Sequence, residues 1–235
     1  MDTAADTLSH VKALTFDLFG TILDLGGSLT PHIRDFLAAK GVDTIAEQFW
    51  AQWRARQRIE QYQDTLLMLG HSGYLTTARR AFVYTLKLNE IPYTDAEVTE
   101  FMQAWQQLSP FPDVTPALER LADRFRLVVL SNGEPHFLEH LAQNRVQWDF
   151  DAIISVETVG RFKPHPAVYR RAAQLLELEV GECLMVSANS FDVMGARACG
   201  FRAAFINRYR LPYEDTVYHP DITVNDFTEL ADALL

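Results

Sequence analysis

Five short apolar runs punctuate the chain, at 13–16, 127–130, 152–155, 184–186 and 203–206. Each is bounded by polar or turn-forming residues and has the length of a buried strand. Between the later runs lie stretches with helical spacing, at 115–124, 135–144, 166–176 and 190–199. Strand and helix alternate, which predicts an α/β fold with a doubly wound, Rossmann-like parallel sheet. One interval breaks the rhythm. From about 25 to 108 there is no convincing strand, and the apolar positions Phe49, Trp53, Ile59, Tyr62, Leu66, Leu67 and Leu69 carry helical periodicity. Breaks fall at Gly41, at His71-Ser72-Gly73 and at Pro92. The interval reads as a helical insertion after the first strand, and Ser-Pro-Phe-Pro at 109–112 as a stiff return linker. The predicted division is a core of 1–24 and 109–235 with an inserted helical subdomain of 25–108.

Composition adds boundaries to this picture. A chain of 235 residues, 48% hydrophobic, supports one sizeable core plus a smaller subdomain. No apolar run approaches the length of a membrane span. The acidic start at 1–6 lacks a basic region followed by an apolar core, so no signal peptide and a cytoplasmic location are expected. Cys183 and Cys199 sit in apolar surroundings and read as reduced core residues. A formal net charge of −10 disfavours nucleic acid and anionic membrane as partners. It leaves room for a small anionic substrate bound in a local cationic pocket, and for a homodimer.

Four polar stations follow the strand-like runs. The first is Asp17 with Thr21, in Leu-Thr-Phe-Asp-Leu-Phe-Gly-Thr at 14–21. The second is Ser131-Asn132-Gly133 and the third is Lys163-Pro164. The fourth is Ser187-Ala188-Asn189-Ser190-Phe191-Asp192. Taken singly, each has a plain reading: a helix cap for Ser131 or Ser187, a surface charge for Lys163, a first-turn acid for Asp192. Taken together, they converge on one crevice at the carboxyl ends of a parallel sheet, where open α/β folds bind ligands.

These motifs, in this order, resemble the haloacid dehalogenase superfamily, and within it the (S)-2-haloacid dehalogenases. The resemblance covers nearly the whole chain and is most specific in Phe-Lys-Pro-His-Pro-Ala-Val-Tyr and Val-Ser-Ala-Asn-Ser-Phe-Asp. It implies a nucleophilic Asp17 and a helical cap in the insertion. It places on Arg54, in Trp53-Arg54-Ala55-Arg56-Gln57, contact with a departing halide. Arg54, Arg56 and Arg58 are not separated by sequence; Arg54 and Arg58 share a helix face. The resemblance further implies Lys163 and Asp192 in the second step, with Asn189 and Ser187 around the hydrolytic water. Lys163 would hold Asp17 ionised, since an opposite charge nearby favours the charged form. Thr21 would hydrogen-bond the Asp17 carboxylate. Ser131 and the backbone N–H groups after Asp17, from Leu18 onward, would take the substrate carboxylate. Asn132 would face the leaving group, with Phe19 and Phe191 as apolar walls.

The superfamily also contains phosphatases, and fold cannot separate the two chemistries. Phosphatases of the superfamily carry an aspartate two residues after the nucleophile, as general acid for an alkoxide leaving group. Here that position is Phe19. Their magnesium is held by the nucleophile, a backbone carbonyl and a fourth-station acid, and the position of that acid falls on Ala188. A halide leaves without a proton, so both replacements are chemically permissible for a carboxylate attacking saturated carbon. The expected function is a metal-independent, cofactor-free hydrolase of small 2-haloalkanoates. Ala55 and Arg58 depart from the usual dehalogenase cap, and this keeps open a hydrolase that opens a C–N ring in a small carboxylic acid. A divergent phosphatase or phosphonatase is the other alternative.

Overall fold

The computed structural model describes residues 8–235; the acidic segment at 1–6, read above for targeting, lies outside them. The chain divides into two compact units, one of the stretch up to Leu23 with Pro110–Leu235, the other of Asp24–Ser109. Among the described residues no helix is long and apolar enough to cross a membrane.

The first unit is built on β1 (Ala13–Phe16), β4 (Arg126–Ser131), β5 (Ala152–Ser155), β6 (Cys183–Ser187), β7 (Arg202–Ile206) and β8 (Ile222–Val224). A separate two-stranded pair is formed by β2 (Leu23–Asp24) and β3 (Ser109–Pro110). The six strands pair in the order β5-β4-β1-β6-β7-β8, and every pairing is parallel. From β1 the chain moves outward through β4 to β5, then returns to the other side of β1 for β6. That reversal makes β1 a topological switch point.

The pleat sorts the strand residues between two faces. Ala13, Val128, Leu130, Cys183, Met185, Ala203 and Phe205 share one core with Val168, Tyr169 and Ala172 of the helix Pro166–Leu176 and with Val193 and Ala196 of Ser190–Ala198. On the opposite face Phe16 stacks on Phe227, ring centroids 5.7 Å apart. The one polar side chain of β1, Thr15, donates its hydroxyl to the Leu184 carbonyl at 3.3 Å, which removes the cost of burying it.

The pair β2 and β3, the latter within the stretch read as a return linker, lies outside the predicted pattern, and so do two later elements. The short strand β8 and the helix Phe227–Leu234 extend the sheet edge and cover its second face. The stretch predicted as one helix over 135–144 is an α-helix over Pro135–His140 that continues as a π-turn, Leu141–Val146. Cys183 is buried and reduced; Cys199 is reduced but only partly buried, so it is not the core residue the sequence suggested.

The second unit consists of the helices Leu25–Ala39, Ala46–Leu66, Tyr74–Leu88 and Asp95–Phe101, followed by a 3₁₀ turn, Met102–Gln107. Its core is aromatic. Trp53 lies against Phe82 at 4.9 Å, Phe101 at 5.7 Å and Trp105 at 5.6 Å, and Phe82 stacks on Phe101 at 4.3 Å. The long helix corrects the sequence reading of its buried stripe. Phe49 and Trp53 are buried, but Ile59, Leu66, Leu67 and Leu69 are exposed. The buried face continues instead through Gln57, Gln61 and Asp64, at the same helical spacing. Asp64 is satisfied by the Ser72 backbone N–H at 3.2 Å, the Ser72 hydroxyl and Arg80. Asp64 therefore ties down the loop that the sequence marked as a break.

Candidate active site

Asp17 is the first residue past the central strand. Phe16 pairs with Val129 on one side and Val186 on the other, and the Asp17 N–H donates to the Val186 carbonyl at 3.0 Å. This register brings the ends of β1, β4 and β6 level. Asp17, Ser131 and Ser187 with the residues that follow them thus meet at one edge of the sheet, as parallel pairing requires.

Asp17 is only 5% exposed. Its Oδ2 accepts from Thr21 Oγ1 at 2.9 Å and from Asn189 Nδ2 at 3.0 Å, and its Oδ1 lies 3.6 Å from Lys163 Nζ. The Thr21 hydroxyl in turn accepts from the Ala188 N–H at 2.9 Å, which fixes the direction of its own proton. The turn that presents these groups needs Gly20, whose φ of +89° lies in the left-handed region.

Lys163 is 1% exposed, so its charge has to be met inside the protein. The ammonium donates to Asp192 Oδ2 at 2.8 Å. Asp192 is itself buried, and its Oδ1 accepts from the Tyr169 hydroxyl at 2.7 Å. Burial and the facing Asp192 carboxylate push the Tyr169 hydroxyl well above its ordinary range, so it stays a neutral donor. Tyr169 is a residue that sequence reasoning missed as part of the site. Its position in the Lys-Pro-His-Pro-Ala-Val-Tyr motif, six residues after Lys163, was the available signal. A second trace is Gly195: a Cβ there would stand 2.6 Å from the Tyr169 hydroxyl.

The remaining predicted positions fall as follows. Asn132 is buried, and its Oδ1 accepts the Lys163 backbone N–H at 2.9 Å, so this carbonyl oxygen pins the lysine loop. Ser187 Oγ accepts the Asn189 N–H at 3.1 Å and shapes the fourth loop. Ser131 is fully buried and its hydroxyl has no protein partner among the described residues. Leu18 is buried, and Phe19 is buried and stacked on Phe137 at 5.8 Å. Phe191 is half-buried in the first turn of Ser190–Ala198. The amide nest after Asp17 is narrower than the sequence suggested. Gly20 N–H is already given to the Leu23 carbonyl at 3.0 Å, and Thr21 N–H to the Leu18 carbonyl at 3.4 Å.

Arg54 belongs to the helical unit, where its Nη1 donates to Gln57 Oε1 at 2.9 Å and reaches the Tyr74 hydroxyl at 3.4 Å. Arg56 is committed elsewhere. It pairs with Glu60 at 2.5 Å and lies over the Tyr84 ring at 4.2 Å.

Chemically, the core arrangement is a buried carboxylate with one oxygen held by two neutral donors and the other faced by an ammonium. That lysine is locked by a second carboxylate, and an aromatic wall stands two residues past the first. Such a group is suited to act as a nucleophile.

Comparison with known proteins agrees with this chemistry. The family described as haloacid dehalogenase-like hydrolase matches residues 11–200. The (S)-2-haloacid dehalogenase H-109 of Pseudomonas putida is 32% identical over 230 residues, 97% of this chain and 100% of that protein. The haloacetate dehalogenase H-2 of a Moraxella species is 28% identical over 219 residues, 92% of this chain and 95% of its own. Among solved structures, the L-2-haloacid dehalogenase of Xanthobacter autotrophicus with covalently bound chloropropionic acid superposes with a TM-score of 0.83 at 28% identity. It covers 95% of this chain and 98% of that one. A family match over most of the sequence, relatives spanning nearly its full length and a shared parallel α/β sheet establish that the chain belongs to the haloacid dehalogenase-like hydrolases.

Proposed function

We propose that this hydrolase displaces halide from a small 2-haloalkanoate through an ester on Asp17, without a metal ion. A carboxylate oxygen of Asp17 attacks C2 of the substrate; the new C–O bond forms as the carbon–halogen bond breaks, and the halide leaves with the electron pair. Water then adds to Cγ of the ester, and the 2-hydroxyalkanoate leaves with the oxygen that Asp17 supplied. One proton is released per turnover. The observation that carries this reading is the Asp17 carboxylate, buried at a strand end and held by Thr21, Asn189 and Lys163. Buried beside it, Phe19 supplies no proton and keeps water from the first step, which suits a leaving group that needs none. Asp192, braced by Tyr169, holds Lys163 in place for both steps. Leu18 N–H and the Ser131 hydroxyl receive the substrate carboxylate, and Arg54 is assigned the departing halide.

Metal independence is supported by one contact in particular. The Asn189 side-chain amide reaches Asp17 Oδ2 at 3.0 Å and the Phe19 carbonyl at 3.4 Å. Both partners are acceptors, so the atom facing them is the NH₂ group. These are a nucleophile oxygen and a backbone carbonyl of the kind that a superfamily magnesium would use. Here a donor occupies the place between them, and Ala188 offers no carboxylate beside it.

A second reading is opening of a strained C–N ring in a small carboxylic acid. It rests on the departures at Ala55 and Arg58, in the unit read as the cap, from the usual dehalogenase pattern. A screen of small 2-substituted acids for halide and ammonia release, run with and without chelator, decides between them. Halide release untouched by chelator and abolished in Asp17→Asn is the expected result. In a single turnover in heavy-oxygen water the label enters Asp17 first. Phosphoester hydrolysis that needs magnesium would overturn the proposal.

A further inference from the structure

The nucleophile's loop is gripped from behind by two residues that neither the motifs nor the proposed chemistry uses. Arg208 and Tyr209 lie just past β7. Arg208 Nε donates to the Thr21 carbonyl at 3.0 Å, and the Tyr209 hydroxyl donates to the Gly20 carbonyl at 3.1 Å. Two consecutive carbonyls of the turn after Asp17 are therefore fixed by two consecutive side chains.

Arg208 is an anchored strut rather than a surface charge. Its Nη1 and Nη2 form a bidentate pair with Asp113 at 3.0 and 2.8 Å, and its side chain is 7% exposed. The guanidinium lies over the Phe111 ring at 4.0 Å and near the Phe227 ring at 5.2 Å. Asp113 also accepts the Phe227 N–H at 2.8 Å. Burial pushes the Asp113 carboxyl up, but the bonds from Arg208 and Phe227 outweigh it, and the net is below the ordinary value. The loop that carries the clamp is braced too, with Asn207 Oδ1 accepting the Leu211 N–H at 2.9 Å and Nδ2 donating to the Leu211 carbonyl. So many bonds on one arginine exceed what joining two loops requires, and three of them converge on a planar fork that a lysine cannot reproduce.

Resting on the proposed role of Asp17 as nucleophile, we infer that Arg208 is a positioning residue for it, acting through Thr21. The chain of contacts is short. Asp113 orients Arg208, Arg208 fixes the Thr21 carbonyl, and the Thr21 hydroxyl then meets Asp17 Oδ2 at 2.9 Å and the Ala188 N–H at 2.9 Å. A loosened Thr21 peptide tilts the hydroxyl off Asp17, and with it the plane of the attacking carboxylate. Misplacement of a reacting group by about 1 Å costs about a hundredfold in rate.

The test is a double-mutant cycle of Arg208→Lys with Thr21→Ala, read in two ways on the full chain. The first readout is kcat and KM for halide release from 2-chloropropionate. Arg208→Lys lowers kcat by about tenfold or more with KM held within about twofold, and in the Thr21→Ala background it changes kcat by less than about twofold. The second readout needs no turnover: carbon-13 NMR titration of the Asp17 side chain. Arg208→Lys moves the Asp17 carboxyl titration to higher pH, and adds nothing once Thr21 is alanine. Effects that multiply in the cycle, or an Arg208→Lys variant with wild-type kcat and Asp17 titration, overturn the inference. Coupled NMR shifts without halide release from the wild type sink the proposed function and leave the positioning intact. Halide release with an additive cycle does the reverse. Should Arg208→Lys fail to fold, Asp113→Asn, which loosens the bidentate pair that orients Arg208, carries the same cycle.

Discussion

Replacing Lys163 by methionine keeps most of the side-chain volume and removes one buried positive charge. The ammonium lies 3.6 Å from Asp17 and 2.8 Å from Asp192. At an effective dielectric of about 20, a unit pair at the first distance is worth about 5 kcal/mol and at the second about 6 kcal/mol. These are gross attractions. Removing one member of a buried pair costs about 3–5 kcal/mol net, because the other is left in a poor medium. The molecule can meet that cost by losing stability or by taking up a proton. A proton on Asp17 ends its nucleophilicity, and about 1.4 kcal/mol corresponds to a factor of ten. The expected loss in kcat/KM at neutral pH is therefore about a hundredfold to a few thousandfold, with partial recovery as pH rises. Initial rates of halide release from pH 5 to 10, with near-UV circular dichroism to show an intact core, are the measurement. A folded Lys163→Met protein with the wild-type rate and an unchanged pH profile would refute the electrostatic role.

Tyr169→Phe removes one hydrogen bond to a buried charge and is expected to destabilise the fold by about 1.5–3 kcal/mol in urea titration; an unchanged midpoint would show that Asp192 does not need it. The Arg54→Ala variant is expected to lose about a hundredfold or more in kcat with halide substrates, while Arg56→Ala, whose charge is already paired with Glu60, changes little; a harmless Arg54→Ala beside a crippled Arg58→Ala would place the leaving-group contact one turn later. Burial pushes the Cys183 thiol up to about 12, and burial with Asp192 pushes Tyr169 well above 10. Both groups are neutral in the native protein, so their contribution is complete below their unfolded values and is lost as pH rises through the folded ones. Urea midpoints should therefore fall above about pH 9, and native Cys183 should resist thiol reagents that modify it in urea.

Legibility from sequence followed the strength of the local signal. The apolar runs that became β1, β4, β5, β6 and β7 were visible because largely buried parallel strands read as near-continuous apolar runs. Edge strand β8 was not, since Ile-Thr-Val is too short and too exposed to stand out. The stations at strand ends were legible because polar residues directly after such runs have few other places to go. What joins them was not. The contacts of Arg208 with Thr21 and Asp113 span 187 and 95 residues, and no pattern along the chain encodes them. The long helix of the second unit misled for a different reason. Periodicity shows which residues share a face, but not which face is buried, and here hydrogen-bonded Gln57 and Asp64 took the inside while Leu66, Leu67 and Leu69 stayed out.

The charges within the core explain why a fold that serves phosphoryl transfer can serve carbon–halogen cleavage by so few changes. Asp17 and Asp192 bring two negative charges and Lys163 one positive charge, all three buried. A magnesium ion between nucleophile and substrate would leave this cluster net positive, matched to a phosphate dianion. Without it the cluster stays net negative, and a carboxylate substrate adds to that. Neutral donors on Asp17, from Thr21 and Asn189, keep the carboxylate oriented but do not cancel the added charge. In the proposed metal-free mechanism, the substrate or its departing halide then calls for a cation beyond Lys163. The proposed assignment of Arg54 answers that need, and it makes Arg54 substitution the change expected to discriminate anionic from neutral substrates. An Arg54→Ala enzyme that loses 2-haloalkanoates and uncharged 2-haloamides equally would show that the arginine serves the leaving halide; selective loss of the acids would show that it balances the substrate's charge.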